Sequence, residues 1–144
     1  MDKAKVLRFF RNGLIIFLIM FGMVWVKTYS SGRAQYLEGE ENLKAGHMKE
    51  AISNYEASIH MYAPMAGYVD ASAQRLWEIG QGYESSGDYD WSLIAYRALR
   101  SSFYATRSFY TPGTAWISRS EAQINQVLIA QHEVEKNKAK PGGK

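Results

Sequence analysis

The hydrophobic pattern divides the chain into two regimes. From Gly13 to Val26 it reads GLIIFLIMFGMVWV without a single charge, and no polar face interrupts it as it would on a soluble-core helix. In lipid, such a run satisfies its backbone by closing every hydrogen bond within a helix. The run is short of the roughly 20 residues a span needs, but its flanks lengthen it: Phe9 and Phe10 add apolar surface on one side. On the other, Lys27 snorkels to the headgroups, and Trp25 and Tyr29 fall where an aromatic belt sits. The expectation is a transmembrane anchor at 13–29, in a helix from about Leu7 to Tyr29, with Leu14, Phe17, Phe21 and Trp25 among the membrane-embedded side chains. Ser30, Ser31 and Gly32 are small, as before a signal-peptide cut, yet Trp25, Val26, Lys27 and Tyr29 crowd the approach. An uncleaved anchor is expected.

Beyond the run, two stretches align with an offset of 41 residues: YLEGEENLKAGHMKEAISNYEASI from Tyr36 and WEIGQGYESSGDYDWSLIAYRALR from Trp77. Gly39 matches Gly80, Gly46 matches Gly87, Ala51 matches Ser92 and Tyr55 matches Tyr96. Each unit reads as two antiparallel helices. Gly46 and Gly87 stand where a left-handed residue ends the first helix. Gly39 and Gly80 lie within it, where glycine costs about 1 kcal/mol against alanine unless a second helix approaches closely. Ala51 and Ser92 are expected to supply the small facing surface. In AISNYEASI and SLIAYRAL the apolar residues recur at three and four, which gives each second helix one buried face.

Both units resemble tetratricopeptide repeats. The second carries the resemblance in Gly80, Tyr83, the turn Gly87-Asp88-Tyr89-Asp90, Leu93 and Tyr96; the first carries it in Gly39, Gly46, Ala51, Tyr55 and a closing Pro64. Departures exist. The pitch of 41 exceeds the family's usual length of about 34 residues, Asn42 stands where Tyr is usual, Ser92 replaces the common Ala, and no Pro closes the second unit. The extra residues fall near Ala66 to Ser72 and lengthen the first helix of the second unit. The resemblance implies an all-α fold: the transmembrane helix, two TPR-like hairpins at about 33–64 and 67–104, and a C-terminal capping helix at about 112–135, within a domain of 33–136. Thr111 and Pro112 read as the cap and first turn of that last helix, and Trp116, Ser120 and Gln123 fall about 40 residues after Leu76, Gly80 and Tyr83. Residues 137–144 are expected to be a frayed tail. The aromatic residues Phe103, Tyr104, Phe109, Tyr110 and Trp116 surround the loop before the cap helix and are expected to close the core beneath it.

The net charge of +3 resides at the termini. Lys3, Lys5, Arg8 and Arg11 precede the span, and Lys136, Lys138, Lys140 and Lys144 lie in the tail; from Thr28 to His132 acidic residues outnumber basic ones by eleven to eight. A nucleic-acid reader would concentrate Lys and Arg on its folded part, so nucleic acid is not an expected partner. Four basic residues in segment 1–12, against Lys27 and Arg33 soon after the span, place the N-terminus in the cytoplasm. The repeat domain is then extracytoplasmic, which is periplasmic in a bacterium.

With no cysteine, thiolate catalysis and disulfides are excluded. His47, His60 and His132 form no ligand pair at helical spacing, Glu40-Glu41 point to different sides of a helix, and Asp88 and Asp90 belong to a turn. Neither a cofactor, a metal site nor an enzyme activity is expected. A surface remains. In tetratricopeptide domains the first helices line a concave groove, and the resemblance nominates Arg33, Tyr36, Glu40 and Lys44 from the first unit with Gln74, Trp77, Gln81 and Glu84 from the second. Tyr36 and Trp77 would be its rigid anchors, the alternative for Trp77 being packing against the extended first helix of the second unit or a place near the membrane. Glu and Gln occupy most places where the family's carboxylate-binding groove has Lys and Asn. The expected function is a membrane-anchored adaptor that binds other proteins in the cell envelope; the alternative is a structural subunit of a larger inner-membrane complex whose span makes the specific contacts.

Overall fold

The computed structural model describes residues 3–107 and 111–139, which form five helices and no strand. In chain order they are α1 (Lys3–Lys44), α2 (Met48–His60), α3 (Gly67–Ser85), α4 (Tyr89–Ala105) and α5 (Thr114–Ala139).

α1 is one unbroken helix of 42 residues, roughly 63 Å long at the usual rise. Its N-terminal stretch is long and apolar enough to cross a membrane, and none of its most apolar part is buried in the fold. The anchor and the first repeat helix, expected as separate segments ending near Tyr29 and beginning near Arg33, are therefore one element. The reason lies in residues 27–32. Ser30 donates its hydroxyl to the Lys27 carbonyl at 3.1 Å, so it is satisfied inside the helix rather than turning it. Gly32 acts as a packing site: a Cβ there would stand 2.5 Å from the Tyr68 ring, and its carbonyl accepts from the Ser58 hydroxyl at 3.0 Å.

α1 and α3 end alike. Gly46 and Gly87 both adopt φ +79, the left-handed conformation that closes a helix at low cost for glycine. The N–H of His47 donates to Asn42 and that of Gly46 to Leu43, at 2.9 and 3.2 Å; Asp88 donates to Tyr83 and Gly87 to Glu84, at 2.9 and 3.0 Å. Positions 41 apart thus make the same two bonds. The helices that follow start differently: the Asp88 carboxylate accepts from the Trp91 N–H at 3.3 Å, whereas His47 caps α2 with no side-chain bond.

Across these turns α1 packs on α2 and α3 on α4, while α2 also meets α3 and α4, and α5 lies against α4. Tyr68 meets Tyr29 and Arg75 meets Glu40, so α3 advances along α1 in the same direction. Trp116 meets Trp77 and Gln123 meets Glu84, so α5 advances along α3 likewise. The core between the helices is filled by Tyr55, Ile59, Leu76, Tyr96, Leu99, Phe103 and Val127, all under 2% exposed. Ala51 and Ser92 are fully buried, but the surfaces laid on Gly39 and Gly80 are the rings of Tyr55 and Tyr96.

α5 differs from expectation at both ends. Thr111 and Pro112 do not cap it. Pro112 and Gly113 form a turn in which Gly113 has φ +68, a conformation no right-handed helix includes, and the Phe103 ring lies directly on that glycine. The helix therefore begins at Thr114, whose hydroxyl donates to the Thr111 carbonyl at 3.2 Å. It continues through Ala139, past the expected end at 135; residues 140–144 lie outside the described residues.

Candidate partner-binding surface

α1 and α3 are joined by a charged clamp built on Glu40. Arg75 donates from Nε and Nη2 to the two Glu40 oxygens at 2.7 and 3.0 Å, and the buried Tyr55 donates its hydroxyl to Oε1 at 2.7 Å. The third guanidinium nitrogen reaches Glu78 at 2.9 Å. A forked guanidinium–carboxylate pair of this kind holds both partners in one geometry. Burial works to raise the Glu40 carboxyl, but the hydrogen bonds from Arg75 and Tyr55 and the Arg75 charge outweigh it and hold the group below the ordinary carboxylate range. Tyr55 is pushed far above the usual phenol value, first by burial and then by its bond to Glu40.

A second clamp joins α3 to α5. Glu84 accepts from the Tyr96 hydroxyl at 2.9 Å and from Gln123 Nε2 at 2.8 Å. Burial and the Glu84 bond raise the Tyr96 phenol in the same way. Beneath this clamp lies Trp77. Sequence reasoning placed it on an open groove, but it is 5% exposed, packed against Tyr96 and Trp116 at centroid distances of 5.0 and 6.4 Å, with the Arg119 guanidinium 3.9 Å above its ring. α5 covers it, so Trp77 is a core residue rather than a partner anchor; its Nε1 is buried with no hydrogen-bond partner among the described residues.

The eight nominated positions thus divide. Glu40 and Glu84 are half-buried and bonded within the fold, and Trp77 is interior. Lys44, Gln74 and Gln81 are exposed, Gln74 bonding to Glu78 at 2.9 Å. Arg33 and Tyr36 line a cleft of about 290 Å³ with Tyr29, Leu37 and Tyr68, at the end of the domain nearest the apolar stretch. A larger cleft of about 380 Å³ opens between the end of α1, the start of α2 and α3, lined by Leu43, Met48, Ile79 and Tyr83 with Arg75 and Glu78 beside them. Sequence reasoning missed this cleft and missed Arg75. A signal for Arg75 existed: it is the single Lys or Arg between Lys49 and Arg97, and a lone cation among carboxylates invites pairing.

The remaining candidates serve local structure. Phe103 is buried under Gly113, and Tyr104, 39% exposed, donates to Glu121 at 2.6 Å beneath the Arg107 guanidinium. Phe109 and Tyr110 lie outside the described residues. His47 and His132 are exposed. His60 ends α2 near Glu56, whose carboxyl burial raises against the opposing His60 charge and a Ser101 hydrogen bond. On the apolar stretch of α1, Leu14, Phe17 and Phe21 are each about 60% exposed and Trp25 is 39% exposed, stacked on Tyr29. No protein-family model matches the chain, and neither a curated protein nor a solved structure shows significant similarity to it.

Proposed function

We propose that the protein is a membrane-anchored adaptor, in which a helical domain of tetratricopeptide type holds a partner protein beside the bilayer with the N-terminus cytoplasmic and the repeats outside. The observation that carries the reading is the cleft between α1, α2 and α3. Leu43, Met48, Ile79 and Tyr83 give it an apolar lining, while Arg75 and Glu78 set charged groups at its edge. That combination suits an apolar side chain on an extended or helical partner segment, with polar contacts fixing its orientation. The repeat reading is supported by the matched glycine–tyrosine contacts and helix-ending bonds 41 residues apart. Because the span and the first domain helix are a single α1, a partner held in the cleft is held at a set distance from the membrane.

The test is photo-crosslinking from the full chain in native membranes, followed by purification in mild detergent. A crosslinker at Tyr83 should capture one partner, and Met48→Glu should abolish that capture. If capture occurs only from Leu18 in the span and Met48→Glu leaves the complex intact, the chain is instead a structural subunit whose transmembrane helix makes the specific contacts.

A further inference from the structure

We infer that the turn between α2 and α3 is a second membrane contact, laying Met65 into the lipid headgroup layer beside the span. This rests on the reading of α1 as a transmembrane helix. The domain then meets the bilayer at two places rather than swinging on α1 alone.

The first argument is one of level. Tyr68 packs edge-on against Tyr29, ring centroids 5.6 Å apart, and over Gly32; Trp25 stacks on Tyr29 at 5.4 Å. Gly32 stands about 9 Å beyond Val26 along α1, whereas headgroups occupy roughly 5–8 Å on each side of the hydrocarbon. Since α3 advances along α1 away from the span, the residues preceding Tyr68 lie on the membrane side of it. The Tyr68 hydroxyl, donating to the Met61 carbonyl at 2.5 Å, ties the start of the loop to that level.

The second argument is the turn itself. The N–H of Ala66 donates to the Ala63 carbonyl at 3.1 Å, closing a four-residue turn with Pro64 at its second position and Met65 at its third. Met65 has φ +63. In a turn with proline second and positive φ third, glycine or asparagine is the usual third residue, because a side chain there is strained. This chain places a long apolar side chain in that position and leaves it 99% exposed, while Ala63 and Ala66 on either side are buried at 2% and 7%. A single exposed apolar residue is ordinary on a protein surface. One held outward by a strained turn, at the level of an aromatic belt, is not.

The third argument is charge. From Met61 to Val69 the chain carries none, Asp70 being the first, and Lys27 and Arg33 flank the Tyr29–Gly32 stretch of α1 on which Tyr68 packs. An uncharged tip with cations on the neighbouring helix matches the apolar boundary of a bilayer and its phosphate layer.

The chain has no native cysteine, so single cysteines report unambiguously. The full chain would be reconstituted into phosphatidylethanolamine–phosphatidylglycerol vesicles, with an environment-sensitive fluorophore on Met65→Cys, Leu18→Cys or His47→Cys. Lipids would carry a nitroxide either near the headgroup or near the bilayer centre. The expected result is strong quenching at position 65 by the shallow nitroxide, at position 18 by the deep one, and at position 47 by neither. If position 18 is quenched and position 65 behaves like position 47, the second contact is wrong and the anchor stands. If position 18 is not quenched, the span reading fails and this inference falls with it.

Discussion

Tyr96 lays its ring on the bare backbone of Gly80, so closely that a Cβ at Gly80 would stand 2.5 Å from Cε1 of the tyrosine. The same relationship recurs between Tyr55 and Gly39, where the distance is 2.8 Å. Each tyrosine hydroxyl then reaches a carboxylate of the glycine's own helix, Glu84 at 2.9 Å and Glu40 at 2.7 Å. A mid-helix glycine forgoes about 1 kcal/mol of helix propensity; here its missing side chain admits an aromatic face, which contributes more than the propensity lost.

Gly80→Leu should therefore destabilise the full chain in detergent by roughly 1–3 kcal/mol, as overpacked sites do. Gly82→Ala serves as the control, since a Cβ there meets nothing within 4 Å, and it should leave stability unchanged or raise it slightly. Equal melting temperatures for Gly80→Leu and the unaltered chain would refute the contact.

Acid should weaken the clamp between α1 and α3. The Glu40 carboxyl is lowered in the fold from a reference of 4.5, and a group so lowered contributes stability that is present above its unfolded value and lost as pH falls through its folded one. Glu78 shifts in the same direction, chiefly through its bond from Gln74, whereas burial raises Glu56, which opposes them. Glu40→Gln should cost about 1–2 kcal/mol at neutral pH. The difference between variant and parent, followed by thermal melts, should shrink as pH drops below 4.5; a difference independent of pH would exclude an ionic clamp.

The alkaline side is governed by the two tyrosines. Tyr55 and Tyr96 are raised above their reference of 10.0, by burial first and by their carboxylate partners second. Stability linked to a raised group is complete below the unfolded value and declines as pH rises above it, so melting temperature should fall above pH 10. Replacing both residues by Phe should flatten that decline while lowering stability at neutral pH through two lost hydrogen bonds. Phenolate absorbance from Tyr55 and Tyr96 is expected only as the domain unfolds; its appearance in the folded state would contradict the burial argument.

The proposed sidedness rests on Lys3, Lys5, Arg8 and Arg11 before the apolar run against Lys27 and Arg33 after it. The chain should stay in the membrane fraction after carbonate washing. A reporter active only outside the cytoplasm, fused after Lys144, should give signal. Replacing the four leading charges by Asn and adding Lys after Tyr29 should reduce it. A silent fusion beside a working cytoplasmic one would place the repeats in the cytoplasm.

The long apolar helix and the two helix-ending glycines were legible in residue order, because each is a local matter. An uncharged run has few options in lipid, and a glycine with φ +79 closes a helix through bonds to residues three and five positions away. The start of α5 was not legible in the same way. Thr111-Pro112 is a sound local cap signal, but Phe103 packs onto Gly113, ten residues later, and the turn forms there instead.

Residue order alone determined that the chain is helical, that its N-terminal run is fit to span a membrane, and where Gly46 and Gly87 end α1 and α3. Tertiary structure decided everything that depends on which side chains meet across helices. Nothing in the segment around Trp77 says that α5 will cover it with Trp116 and Arg119, and the isolation of Arg75 among carboxylates invites a pair without saying that Glu40 across on α1 will be the partner. Periodicity tells which face of a helix is apolar, but not which neighbour will occupy it. That choice is made by packing between elements tens of residues apart, where shape, burial and charge are settled together.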